Sequence, residues 1–244
     1  MPTLSIGITV AKRMDNAVEH NYAKAAIQSL REAKFTEVVH AFCEPDAGHV
    51  VPSFIDAANV MPHVHTQHIG CFPNFRYGLN WLVDNTDSDW VMLLQDDCIW
   101  HPDGYTAMQR GFEELPAAGF LSPYTSRAMV EGGHAGHSDL SVDLPAGWVA
   151  HRFHNKAFWG ALAMAFPRQS AKDLVNFPRF IQHDHHRKVD VVVGNCTRDM
   201  GKTGYVHVPS ICEHIGKHST IGRDRFPGNK WGRHGLRFDP EKPL

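Results

Sequence analysis

Asp96 and Asp97 are adjacent carboxylates that follow Gln95 at the end of a continuous apolar run, Trp90-Val91-Met92-Leu93-Leu94. Two carboxylates side by side repel each other, and a divalent cation relieves that repulsion. Their hard oxygen donors suit Mg2+ or Mn2+. Asp is also common where a strand enters a turn, so the pair alone leaves both readings open. Histidine is the other abundant functional type, with 18 in the chain. The groups His63-x-His65-x-x-His68 and His183-Asp184-His185-His186 have zinc or iron ligand chemistry and keep a metal-dependent hydrolase or phosphodiesterase in view. Neither has the helical H-E-x-x-H form of a metalloprotease. Gly201-Lys202-Thr203 ends like a phosphate-binding P-loop, but six residues separate it from the upstream Gly194 instead of four, and it follows a helical pattern rather than a strand. No G-x-S-x-G nucleophile elbow is present. Five cysteines with no C-x-x-C spacing argue against a zinc ribbon and a disulfide framework.

The elements that must position these residues alternate between strand and helix. Leu4–Val10 reads as a first strand. Residues 16–34 read as a helix, with Tyr22, Ala26, Leu30 and Ala33 on one face. Val38–Phe42 reads as a second strand, and His63–Ile69 as a short third. Pro73 opens a helix with Phe75, Leu79 and Leu82 on its apolar face. The run at 90–94 suits a central parallel strand buried on both sides. Further on, Gly119–Ser122, Phe158–Phe166 and Tyr205–Val208 read as strands, and Val189–Met200 as a helix. Residues 131–137 form a Gly/His-rich loop. This order predicts an α/β sandwich with a mainly parallel central sheet. In such sheets ligands gather beyond the carboxyl ends of the strands, where Asp96 and Asp97 stand.

Three segments in this order resemble the GT-A nucleotide-sugar glycosyltransferases. The first is Gly70-Cys71-Phe72-Pro73-Asn74-Phe75-Arg76-Tyr77-Gly78-Leu79 followed by Trp90 to Asp97, similar to that family's "N-hydrophobic-G" helix and D-x-D strand. The second is Val189-Asp190-Val191-Val192-Val193-Gly194, followed by Asp199-Met200-Gly201. It resembles the family's "E-D-x-x-L-G…G" helix. The third, Pro209 to Thr220, resembles a "P-S-L-x-x-H-x-G-x-x-S" segment and is close to the N-acetylglucosaminyltransferases that branch N-glycans. The resemblance spans roughly residues 4 to 220. It implies a GT-A (Rossmann-like) sandwich, with Asp97 and His214 as metal ligands and Asp190 as the catalytic base of an inverting transfer. Gln95 stands where the family has its first acid, which passes the ribose contact to Asp96, and Val189 stands where it has Glu. A metal-dependent enzyme of this type implies Mn2+ or Mg2+ and a UDP-sugar donor.

For the donor, the end of the first strand offers a cradle at Thr9, Val10, Ala11 and Arg13. Glu44 or Asp46 follows the second strand and is placed to face the base or ribose. Arg76 has the fork geometry for a phosphate. Lys217, with Arg223, Arg225 and Lys230, suits closure over a diphosphate. The expected organisation is one domain over residues 1–220 and a basic, mobile C-terminal tail over 221–244. Net charge is -2, so no global field favours nucleic acid or an anionic membrane. The N-terminal residues lack a signal-peptide pattern, and no run reaches the ~18 apolar residues of a membrane span. A cytoplasmic protein is expected, in the host cytoplasm if viral, with no membrane contact and no protein partner implied. The acceptor expectation divides. Soluble bacteriophage members of the family glycosylate hydroxymethylated pyrimidines in DNA, and Arg152, Trp159 and Trp231 suit a base or strand. Glycan acceptors are the alternative. A non-catalytic nucleotide-sugar or glycan-binding protein would keep the same cradle.

Overall fold

Short apolar runs produce the strands, and amphipathic segments between them produce the helices. The computed structural model describes residues 1–11, 14–15, 18–19, 22–45, 59–125, 145–151, 158, 160–182, 189–216 and 235–244. In chain order the strands are β1 (Leu4–Val10), β2 (Met14–Asp15), β3 (Val18–Glu19), β4 (Val39–Cys43), β5 (Val60–Val64), β6 (Trp90–Gln95), β7 (Cys98–Trp100), β8 (Phe120–Ser122), β9 (Gly147–His151), β10 (Ala163–Pro167), β11 (Gly204–Val208) and β12 (Cys212–His214). The helices are α1 (Tyr22–Glu32), α2 (Cys71–Asn85), α3 (Gly104–Glu114), α4 (Arg168–Val175), α5 (Pro178–Ile181) and α6 (Val189–Asp199).

Eight strands form one sheet in the order β5-β4-β1-β6-β10-β8-β11-β9. The β5-β4-β1-β6 half is parallel throughout. In the other half, β10 runs antiparallel to both β6 and β8, β11 is parallel to β8, and β9 closes the sheet antiparallel to β11. The chain leaves β1 toward β4 on one side and returns to β6 on the other. Strand order therefore reverses between β1 and β6, the arrangement that in open α/β sheets puts a ligand crevice beyond the carboxyl ends of the strands. A separate two-stranded ribbon, β7 with β12, stands next to that crevice.

The central strands of the sheet are buried on both faces. Strand β6 sends Met92 and Leu94 into the core under α1 and α3, and Val91 and Leu93 into the core under α2, α4 and α6. A continuous apolar run is what such a two-sided strand requires. Helix α2 approaches β1 closely because two glycines line the contact. A Cβ on Gly7 would lie 2.5 Å from Leu93 Cδ1, and one on Gly78 would lie 2.7 Å from the Phe42 ring.

The expected elements match well at β1, β4 and β6. The first helix begins later than expected, at Tyr22. The third strand lies earlier, at Val60–Val64 rather than 63–69, because residues 69 and 70 instead lead into α2 on a glycine with φ 87°. The strand expected over 158–166 is confined to Ala163–Pro167. Helices α3, α4 and α5 and strands β7, β9 and β12 are additions to the sequence reading. The last ten residues, 235–244, pack against the domain, and Leu236 is buried in the core. The Gly/His-rich loop lies outside the described residues. No helix among the described residues is long and apolar enough to cross a membrane.

At the outer half of the sheet, His40 and His63 meet with Nδ1 and Nε2 3.2 Å apart, and both rings contact Trp81. Burial, followed by the neighbouring His63, pushes the His40 pKa down to about 4 from the ordinary 6.5. The folded protein thus favours neutral His40, whereas the unfolded chain takes up the proton first as pH falls. The stabilising contribution is complete above pH 6.5 and is lost as pH drops toward 4. The ring is partly exposed, so solvent screening leaves about 1 kcal/mol of this effect. Urea unfolding midpoints at pH 7 and pH 4.5 should therefore converge in His40→Leu relative to the unsubstituted protein. Equal acid sensitivity in the two proteins would place the effect on other groups.

Candidate active site

The carboxyl end of β6 places Gln95, Asp96 and Asp97 where strand order reverses between β1 and β6. Gln95 is paired with Thr9 in the sheet, and its backbone N–H donates to Leu162 O at 2.8 Å. Asp96 and Asp97 are both buried, at 3% and 0% exposure. Two buried charges this close in sequence need separate partners, and the fold supplies them from different parts of the chain. The Ala11 backbone N–H donates to Asp96 Oδ2 at 3.1 Å, tying the end of β1 to the end of β6. Asp97 Oδ2 lies 3.1 Å from His214 Nε2.

The β7–β12 ribbon creates the second contact. In its antiparallel register Cys212 faces Trp100, Glu213 faces Ile99 and His214 faces Cys98. Just beyond, the Ile215 N–H donates to Asp97 O at 3.0 Å. Asp97 is thus held through its backbone and its side chain by consecutive residues. Below them, burial and contact with Cys212 hold the Cys98 thiol well above the ordinary range, so it stays neutral. The carboxylate and imidazole also fit a shared cation. Carboxylate oxygen and imidazole nitrogen are donors that would suit a divalent ion such as Mn2+.

Asp190 reaches the same end of the sheet by another route. It is the second residue of α6, and its Oδ2 accepts the Gly160 N–H at 3.3 Å while Oδ1 accepts the Val191 N–H at 2.9 Å. Gly160 lies two residues before Leu162, whose carbonyl bonds Gln95. The segment 160–162 therefore links Asp190 to the end of β6.

The remaining expected residues separate into distinct environments. Thr9, Val10 and Ala11 stand at the carboxyl end of β1, where Val10 is buried in the core: Thr9 Oγ1 donates to Leu94 O at 3.4 Å, and Val10 O accepts the Glu44 N–H at 3.0 Å. Glu44 is buried, and its two carboxylate oxygens accept the backbone N–H groups of Ile69 and Gly70 at 3.0 and 2.8 Å. It therefore fixes the entry to α2. Arg76 donates to Ile181 O at 2.8 Å, at the last turn of α5. Arg13, Asp46, Arg152, Trp159, His183–His186, Lys217, Arg223, Arg225, Lys230 and Trp231 lie outside the described residues. Sequence reasoning passed over Glu213, whose carboxylate accepts the His214 N–H at 3.1 Å and the Gly235 N–H at 2.9 Å. Its position beside His214 was the only signal.

No protein-family model matches the chain, and no curated protein does. Solved structures do resemble it. A mannosyltransferase, PcManGT from Pyrobaculum calidifontis in complex with GDP-Man and Mn2+, aligns with a TM-score of 0.56 at 16% identity over 88% of this chain and 58% of that one. S. aureus TarS aligns with a TM-score of 0.53 at 12% identity, over 84% of this chain and 35% of that one. The chain thus spans less than two thirds of either relative. What it shares with them is architecture: a Rossmann-like α/β sandwich of the GT-A glycosyltransferase type, built on a mainly parallel eight-stranded sheet.

Proposed function

We propose that this chain is a metal-dependent glycosyltransferase that moves a sugar from a nucleoside diphosphate to an acceptor hydroxyl. The observation that carries this reading is the 3.1 Å approach of Asp97 and His214 beside the crevice where strand order reverses. A carboxylate and an imidazole are a donor set suited to Mn2+, and Mg2+ shares the preference for the carboxylate. Among the described residues, no group of three His, Cys, Asp or Glu side chains converges on one point. Asp97 and His214 would be the two protein donors to such an ion. The metal and nucleotide sugar bound by the mannosyltransferase of similar fold support the same reading.

When bound, such an ion neutralises the charge that accumulates on the departing diphosphate. The protein supplies the remaining functions. Asp97 and His214 would hold the ion, and the ends of β1 and β6 would form the floor of the donor site. Asp190 accepts the proton of the attacking hydroxyl at its carboxylate, as an inverting single displacement requires. The finer reading takes uridine diphosphate as the leaving group and a hydroxymethylated pyrimidine in DNA as the acceptor. It is supported by the sequence resemblance to bacteriophage enzymes, with a glycan acceptor as the rival.

A nucleotide-sugar panel with Mn2+, offered hydroxymethylated DNA or free glycans, tests the substrate assignment. Nucleoside diphosphate should be released only with acceptor present, and chelation or Asp97→Asn should abolish release. Cleavage without acceptor would instead establish a hydrolase, while transfer to glycans alone would remove the DNA acceptor. Asp190→Asn should lower kcat by about 10²–10⁴-fold with donor affinity retained. Unchanged turnover would remove Asp190 from the role of base.

A further inference from the structure

We propose that the C-terminal strap Gly235–Leu236, acting through Glu213, positions His214 against Asp97. This inference rests on the metal-site reading above and concerns residues outside the ligand pair. Strand β12 has only three residues and is paired on one side by β7. On its own, so short a strand gives little orientational control over the side chain at its end.

The strap supplies control from outside the ribbon. Glu213 Oε1 accepts the backbone N–H of His214, and Oε2 accepts the backbone N–H of Gly235. One carboxylate therefore joins the candidate ligand's own peptide to the strap. Leu236 inserts alongside: its N–H donates to Thr125 O at 2.7 Å, and its carbonyl accepts the Ser210 N–H at 2.8 Å. Its side chain is buried in the core. The strap's far end is tied to the other strand's continuation. His101, immediately after β7, accepts the Asp103 N–H at Nδ1, so its proton resides on Nε2. That Nε2–H faces the carbonyls of Lys242 at 2.7 Å and Asp239 at 3.1 Å. The clamp thus touches both strands of the ribbon.

Residue type at 235 is dictated by space. A Cβ there would lie 2.8 Å from the Cys212 carbonyl oxygen and 2.9 Å from Ser210 Cβ. The first of these is backbone of β12 itself, so any larger residue must push the strap or β12 away. Such a displacement moves the Glu213 bridge and, through it, the peptide carrying His214. Ligand-orienting contacts of this kind govern metal affinity without touching the metal.

The test is Mn2+ binding, followed by the loss of the free-ion electron paramagnetic resonance signal. It compares the full-length protein with His214→Ala, Glu213→Gln, Glu213→Ala and Gly235→Ala, with far-UV circular dichroism and metal-free thermal unfolding as folding controls. Binding present in the unsubstituted protein and lost in His214→Ala defines the site. Glu213→Ala and Gly235→Ala should then weaken Mn2+ binding by about 10-fold or more with native circular dichroism. Glu213→Gln should fall between, because its amide retains one acceptor. A lower unfolding temperature with unchanged Mn2+ affinity in the Glu213 variants would overturn the positioning role and leave the metal reading intact. Identical binding by the unsubstituted protein and His214→Ala would remove the metal reading and this proposal with it. Should Gly235→Ala not fold, the two Glu213 variants decide the outcome.

Discussion

Two neighbouring carboxylates taken out of water repel each other, and the arrangement around the β6 end follows from that constraint. Coulombic repulsion grows as the local dielectric falls, and the loss of hydration adds to it. The structure gives the two acids unlike partners. Asp96 receives a backbone N–H from Ala11, which is uncharged and permanently in place. Asp97 meets the His214 imidazole, a side chain brought in by a separate ribbon. One acid thereby becomes part of the scaffold joining β1 to β6, while its neighbour keeps a partner suited to chemistry. Everything that places Ala11 and His214 serves this division: the parallel β1–β6 register on one side, and the β7–β12 ribbon on the other.

The division also explains which parts were legible from sequence. Strands β1, β4 and β6 carry apolar runs that only a two-sided parallel sheet accommodates, so their type and approximate limits could be read directly. The end of β6 followed from the switch from Leu94 to Gln95 and the two acids. The ribbon could not be read this way. Cys212-Glu213-His214 has neither strand periodicity nor an apolar face, and it becomes a strand only because Cys98–Trp100 offers it a pairing edge. Its partnership with Asp97 entered through resemblance to a sequence pattern. Helix α3 was hidden for a related reason. Its Gly104 and Gly111 weaken helix propensity, yet Gly111 lies where a Cβ would fall 2.6 Å from the Trp148 indole nitrogen. Packing against a distant strand overrides the local preference.

Glu44 shows the same limit at a charged residue. An acid after the second strand of an open α/β sheet reads naturally as a ligand contact. In three dimensions the carboxylate accepts the N–H groups of Ile69 and Gly70 and organises the start of α2. The difference is burial. A carboxylate with 2% exposure must be hydrogen-bonded, and the nearest donors are the backbone groups of a turn that has no strand to pair with. Residue type announces that an acid wants donors, but only the fold decides whether a ligand or the chain supplies them.

Gln95 takes on a definite meaning in this setting. It departs from the acidic residue of the motif that the segment resembles, and on sequence alone that departure weakens the likeness. In the structure the strand end already carries two buried acids. A third carboxylate at Gln95 would add another like charge beside them, and Thr9, its neighbour in the sheet, turns its hydroxyl toward Leu94 O. A neutral amide keeps hydrogen-bonding capacity at that position without the extra repulsion. Gln95 is itself half-buried at the strand's last position. A neutral residue at 95 therefore limits the buried carboxylates at the strand end to Asp96 and Asp97, the second of which His214 meets.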